Sequence, residues 1–338
     1  MSPRNRVLLV VFVLLGAAAL AVLQPWRGDA FARTAARVRP LFPELDERRQ
    51  TIARIEIDSG AASTRLELTD AGWIVRDRFD HPADGTRLAD LVDVLAALDD
   101  REIVATEPAS FATYEVREGD GTRVRVWDRE GRLLADLIGG ALRHQDVLPG
   151  GPALFEFYVR PAARDLVLLT QEWHVPSARP EDWILGRFLP PDAVSKIRWI
   201  QRDDRQSDQD WRVVRDETTG AAAPEGGAPH WRMVAPEDRP ALDYAAESTA
   251  FTLSSMRAAD AAGRLAEGAT EPAAEFGFST DVFRAGMGEG SFEIHLGAPA
   301  GDGGHYAWVP GNPFVYVLGD FEVGQLRQPV AAMLPGGD

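Results

Sequence analysis

The chain repeats itself. Slid along its own length by 158 residues, it sets Trp73 on Trp231, Pro82-Ala83 on Pro240-Ala241, Leu95 on Leu253 and Leu98 on Met256 without a gap. Later landmarks keep their order: Ala105-Thr106-Glu107-Pro108 recurs as Ala269-Thr270-Glu271-Pro272 after a short insertion, and Leu137-Ile138-Gly139 as Ile294-His295-Leu296-Gly297. Tyr158-Val159 answers to Tyr306-Ala307-Trp308-Val309, and Leu166 to Leu169 answers to Val315 to Leu318. An ordered series of this kind reads as two copies of one supersecondary unit, so whatever the first half folds into the second must also fold into.

Within the first half, Ile55 and Ile57, then Leu66 and Leu68, alternate with polar residues as half-buried strands do, and Asp70-Ala71-Gly72 turns the chain into a strand at Trp73. Pro82 closes that strand and Asp84 or Thr86 can cap a helix whose Leu88, Leu91, Val92, Leu95 and Leu98 follow the i, i+3, i+4, i+7 spacing of one buried face. Short β runs follow at Arg123 to Trp127, Leu133 to Leu137, Phe155 to Arg160 and Leu166 to Leu169. The second half offers strands at Ile197 to Ile200, Trp211 to Val214 and Trp231 to Val234, then a helix with Ala250, Leu253 and Met256 on one side. Thr218 to Pro229 is too poor in apolar bulk to pack and reads as an exposed hairpin loop. The expected class is α+β: two related repeats, each a mainly antiparallel sheet with one packed amphipathic helix.

Ahead of the repeats, Val7 to Leu23 is an unbroken apolar run behind Arg4 and Arg6. Its length as a helix, about 26 Å, approaches what a bilayer core requires, and flanking arginines tend to remain cytoplasmic. A removable signal peptide is the alternative, with Ala19-Leu20-Ala21 as the cleavage site. The run exceeds the usual h-region and Trp26 is placed as an interfacial residue, so a retained anchor is expected; both readings export the remainder. The resulting plan is a cytoplasmic N-terminus at residues 1–6, an anchor at 7–24, a stalk at 25–50, a first repeat at 51–178, a connector at 179–193 and a second repeat at 194–338.

The net charge of −16 makes nucleic acid an unexpected partner, and the absence of cysteine excludes disulfides, lipidated cysteine and thiolate metal sites. The histidines His81, His144, His174, His230, His295 and His305 show no metal-ligand spacing. His144 with Asp146 is a possible pair on a strand, but its Gly/Pro surroundings favour a solvated loop, and His295 reads as a surface residue between Ile294 and Leu296. Gly286-Met287-Gly288-Glu289-Gly290 resembles a phosphate loop, yet Phe292-Glu293-Ile294 continues as β, so a hairpin turn is expected. Lys196, the only lysine, falls in a strand pattern and no nucleophile elbow occurs. Glu107 and Glu271 are the nearest thing to marked acids, better explained as strand ends closed by proline. Trp73, Trp173, Trp183 and Trp231 read as core or inter-repeat packing, with a partner-binding role at Trp183 as the minority reading. No catalytic, cofactor or metal residues are assigned.

Taken in order, Ile55 and Ile57, Trp73-Ile74-Val75, Pro82-Ala83-Asp84, Tyr114-Glu115-Val116, Leu137-Ile138-Gly139 and Tyr158-Val159-Arg160 resemble the motifs of the family called domain of unknown function 4340. The likeness covers Ile52 to about Ile200 and continues as a degenerate second copy. It departs at Glu115-Val116, where glycine and leucine are usual, although Phe276-Gly277-Phe278 keeps the glycine. The resemblance implies a bacterial protein with one N-terminal membrane segment, associated with an ABC-type transport system of the gliding-motility kind. The expectation is a non-enzymatic, single-pass inner-membrane protein with periplasmic repeats that serves as an accessory of such a complex. The rivals are a ligand-binding module for an envelope glycan or lipid fragment, with its cleft between the halves, and, last, a carboxylate hydrolase.

Overall fold

The computed structural model describes residues 39–143, 155–171, 173–190, 192–216, 230–288, 290–301 and 303–335. Val7 to Leu23, the stalk up to residue 38, His144 with Asp146, and the loop from Thr218 to Pro229 lie outside them. Among the described residues no helix is long and apolar enough to cross a membrane.

The first copy comprises β1 (Ile52–Asp58), β2 (Ser63–Thr69), β3 (Gly72–Val75), β4 (His81–Pro82), β5 (Ile103–Ala105), β6 (Thr122–Asp128), β7 (Leu133–Arg143), β8 (Glu156–Pro161) and β9 (Val167–Thr170). The second comprises β10 (Ile197–Asp204), β11 (Trp211–Asp216), β12 (His230–Ala235), β13 (Arg239–Pro240), β14 (Asp260–Arg264), β15 (Asp281–Met287), β16 (Gly290–Pro299), β17 (His305–Trp308) and β18 (Phe314–Leu318). Their orders, β4-β3-β2-β1-β6-β7-β8-β9-β5 and β13-β12-β11-β10-β15-β16-β17-β18-β14, are one permutation used twice. Both sheets are antiparallel, and among the described residues the helices are few: α1 (Pro43–Glu47), α2 (Gly85–Ala97), α3 (Ala193–Lys196), α4 (Asp243–Ser255) and α5 (Asp320–Leu326).

Pairing repeats down to single residues. Ile74 faces Pro82 as Arg232 faces Pro240, and α2 and α4 are both 13 residues long. A bulge interrupts β1 between Ile52 and Arg54, and another interrupts β10 between Ile197 and Trp199. The apolar face expected on α2 is buried throughout, as are Ala250, Leu253 and Met256 on and just after α4. Asp84 caps α2, its carboxylate accepting the Thr86 amide at 3.0 Å.

Register corrects three alignments made on sequence. Ala105 pairs with Val167 as Gly263 pairs with Val315, so Ala105 corresponds to Gly263 and not to Ala269, and the insertion follows that strand. Val159 pairs with Leu168 as Ala307 pairs with Tyr316, so Leu168 corresponds to Tyr316 and the Leu166 to Leu169 match shifts by one. Likewise Gly140, not Gly139, corresponds to Gly297. The physical reason is a backbone crossing: a Cβ on Gly140 would stand 2.2 Å from the Tyr114 carbonyl oxygen, and one on Gly297 2.3 Å from that of Phe276. Each crossing aromatic also stacks on the tyrosine of the next strand, Tyr114 on Tyr158 at 4.5 Å and Phe276 on Tyr306 at 5.0 Å between ring centres. Gly139 has its own constraint, the Trp173 indole lying against it.

The residue after each aromatic turns left-handed, Gly277 at φ 64° and Glu115 at φ 56°. Glycine adopts this conformation freely whereas glutamate is strained there. Glu115 is exposed. Replacement Glu115→Gly is therefore expected to stabilise the protein by about 0.5–1 kcal/mol, read as a higher urea midpoint with an unchanged slope.

The described part of the expected stalk is folded. Leu41 and Leu45 are buried, the Leu41 amide donates to the Leu98 carbonyl at 2.9 Å, and Pro40 bridges to Asp99. By contacts the chain forms two compact units that do not coincide with the copies: residues up to Ser63 go with Ala89–Ala178, and Thr64–Leu88 goes with the residues from Arg179 onward. Thus β2, β3, β4 and the start of α2 belong with the second copy. That unit's core runs from Ile197 and Trp211 through Trp231, Leu253 and Phe283 to Leu326 and Met333. In the first unit, Phe111, Val116, Ile138 and Val167 form a smaller cluster beneath Tyr114 and Tyr158.

Candidate functional site

Between β3 and β4 the chain reverses at Phe79-Asp80, both left-handed (φ 56° and 58°), with the His81 amide donating to the Arg78 carbonyl at 2.9 Å. This tight turn aims His81 inward. Its imidazole is buried, Nε2 3.1 Å from the Tyr316 hydroxyl and Nδ1 2.8 Å from the Pro82 carbonyl, and its ring lies 4.4 Å from Phe314. Asn312 completes the cluster: its amide donates to the Tyr316 hydroxyl at 3.0 Å, while its backbone carbonyl oxygen takes the Trp308 indole N–H at 2.9 Å. Phe188 stacks edge-on against Tyr316. At the rim, Arg78 reaches Asp260 at 2.6 Å and Glu181 at 2.9 Å.

The same Asn312, with Gly311 and Pro313, walls a cleft of about 840 Å³ whose other side is Arg264 to Thr270. That other side contains the residues inserted ahead of Ala269-Thr270-Glu271-Pro272. The cleft is thus an addition of the second copy, its floor held by the Leu265 amide donating to the Pro313 carbonyl at 2.7 Å.

Burial pushes the His81 imidazole below its ordinary range, against a smaller raising effect of the Pro82 carbonyl and Asp260. Burial raises the Tyr316 phenol, with the Asn312 hydrogen bond opposing it. Both groups are therefore neutral at pH 7, and the contact is a neutral hydrogen-bond relay inside an aromatic box. Because the unfolded chain takes up the His81 proton more readily than the folded one, the stability His81 confers is present above the ordinary histidine pKa of about 6.5 and is lost as pH falls below it. Urea midpoints should accordingly fall as the pH is lowered from neutrality through that pKa, and His81→Gln, which keeps a polar group but cannot titrate there, should flatten that fall.

Residues singled out on sequence are dispersed. Glu107 and Glu271 are each exposed, and Pro108 opens a short 3₁₀ turn in which the Ser110 hydroxyl donates to the Glu107 carbonyl. Gly286 and Met287 end β15 and Gly290 opens β16, Met287 pairing with Gly290 as the two strands of a hairpin. Lys196 ends α3, bound to Asp192, rather than sitting in a strand. His295 alternates outward between buried Ile294 and Leu296 but is only partly exposed: Trp308, directly opposite on β17, lies against its ring at 5.4 Å and Glu293 bonds it at 2.5 Å. His230 pairs with Asp243 in solvent, and His305 lies beside Arg327. Trp173, Trp183 and Trp231 are buried and Trp73 is half-buried. Among the described residues no group of three or more His, Asp or Glu side chains is placed to hold a metal ion. The His81–Tyr316 contact has no signature in the sequence because it joins residues 235 apart.

Comparison with family models, with curated proteins and with solved structures gives no match. The architecture itself defines the class, a tandem pair of nine-stranded antiparallel sheets with sparse helices.

Proposed function

We propose that this chain is a non-enzymatic accessory protein, held in the bacterial inner membrane by Val7 to Leu23 with its repeats in the periplasm, and that it acts by contact with an ABC-type transport complex. The observation that carries the contact role is a strip of apolar side chains on the first sheet. Leu142 (41 % exposed) pairs across strands with half-buried Phe157, and Phe155 (57 % exposed) stands just ahead of β8, two residues before Phe157. Large apolar side chains presented together on a rigid sheet are characteristic of interaction surfaces. The class of partner comes from the family resemblance, and the membrane placement from the apolar run and its arginines.

Purification of the full chain in mild detergent should recover transporter subunits. The double variant Leu142→Ser/Phe155→Ser should lose them while the chain stays folded, read as a cooperative melting transition, since both side chains are among the exposed ones. Recovery of the wild type alone under several gentle conditions counts against the proposal.

The cleft beside Asn312 favours a second reading, a binding module for an envelope glycan or lipid fragment. On that reading, thermal-shift measurements with envelope fragments give a rise in melting temperature that Asn312→Ala abolishes.

A further inference from the structure

We propose that α4 is a self-association surface, pairing antiparallel with the α4 helix of a second copy of this chain. One face of α4 is in the core through Ala246, Ala250 and Leu253. The opposite face carries Tyr244, Ser248, Phe251 and Ser255, at spacings of four, three and four residues. These are the spacings of a helix–helix seam, in which side chains three and four apart on one stripe meet a neighbouring helix. Tyr244 is 85 % exposed and Phe251 62 % exposed, unusual for aromatics on a helix whose other face is fully packed.

The order of sizes along the stripe, large, small, large, small, selects the occupant. When two such helices run antiparallel about a two-fold axis centred between Thr249 and Ala250, Tyr244 of each copy meets Ser255 of the other, and Phe251 meets Ser248. Each aromatic is a knob and each serine a hole, so the stripe is complementary to itself, as an isologous interface requires. The Ser255 hydroxyl already donates to the Phe251 carbonyl at 2.7 Å, which leaves a small surface whose hydrogen-bond donor is satisfied within its own helix.

Charge agrees with the same pairing. Asp243 lies in the first turn of α4 and exposed Arg257 just beyond its last. The antiparallel arrangement brings Arg257 of one copy to the Asp243 end of the other and sets the two helix dipoles head to tail. A 13-residue helix offers less than the roughly 800 Å² per partner of a standard stable complex, so the dimer is weak and forms at high local concentration.

The test uses the full chain in mild detergent, with mass measured by sedimentation over a concentration series. Wild type should pass from monomer to dimer as concentration rises. Phe251→Ser, which leaves a gap, and Ser248→Phe, which sets aromatic against aromatic, should each raise the dissociation constant at least tenfold. The exchange Ser248→Phe/Phe251→Ser restores one knob per hole and should recover dimerisation. Because the chain has no cysteine of its own, Tyr244→Cys/Ser255→Cys, whose two positions are too far apart along one helix to join within a copy, provides an independent reading. Under mild oxidation it should cross-link to a dimer, where a cysteine at exposed Thr113 should not. A monomer at every concentration, failure of the exchange to restore pairing, or cross-linking no greater than that of the Thr113→Cys control would each overturn the proposal.

Discussion

Replacing Gly297 with alanine is expected to destabilise the second unit by about 3 kcal/mol or more, and Gly140→Ala is expected to do the same to the first. In both places the added methyl meets a backbone carbonyl oxygen, 2.3 Å away at Gly297 and 2.2 Å away at Gly140, an approach no side-chain rotation can relieve. Nor can the crossing segment withdraw easily, since its aromatic ring is held by a tyrosine on the adjacent strand. Gly324 in α5 supplies the contrast: nothing lies within 4 Å of the place a methyl would take there, and alanine is the better helix former, so Gly324→Ala is expected to stabilise by about 0.5–1 kcal/mol. Urea unfolding followed by far-ultraviolet circular dichroism separates these outcomes. Equal tolerance of alanine at Gly297 and Gly324 would show that the crossing does not constrain the fold.

Removal of one carboxylate, by Asp281→Ala, should cost about 3–5 kcal/mol. Arg202 and Asp281 are 6 % and 4 % exposed, and the Arg202 guanidinium donates to Asp281 at 3.0 Å, to Asp204 at 2.9 Å and to the carbonyl of Gln328 at 3.1 Å. Asp281 also takes the Arg327 side chain at 2.7 Å, which ties the segment after α5 to the sheet. Without that carboxylate two guanidinium groups lose their shared counter-charge, one of them away from water. The first copy solves the same position differently: Ile57 occupies the place of Arg202 and Thr122 that of Asp281. The double variant Arg202→Ile/Asp281→Thr, which copies that solution, should therefore cost less than Asp281→Ala alone, because Arg202 is no longer left buried with Asp204 as its one remaining carboxylate. A double variant worse than the single would show that the charge network stabilises the fold on balance.

The duplication is legible because a gap-free offset links Trp73 to Trp231 and runs on to Leu98 and Met256, a stretch of hairpin and helix in which insertions would disturb a buried face. Beyond it, sequence matching slips by one residue at Gly139 and at Leu166. Two adjacent glycines offer equal matches, and only the carbonyl crossing over Gly140 distinguishes them. The α5 helix leaves no period to read although Val323 and Leu326 are spaced for burial, because its seven residues are too few to establish one. Strand alternation places His295 on the outward face but cannot report what the neighbouring strand lays over it, the Trp308 ring. The His81–Tyr316 contact and the Arg202–Asp281 pair are long-range, so no local pattern announces them. Glu115 shows the reverse case: its departure from the glycine of the second copy is plain in the sequence, and the structure supplies the physical meaning, a strained left-handed residue.

The contact role is tested most directly by placing a photo-cross-linking amino acid at Phe155 in the full chain and irradiating intact cells. The account predicts a covalent adduct between this chain and a subunit of an ABC-type transporter, abolished when Leu142 is also changed to serine. Adducts only with lipid, or none at Phe155 while a position on the opposite face of the sheet reacts, would contradict it.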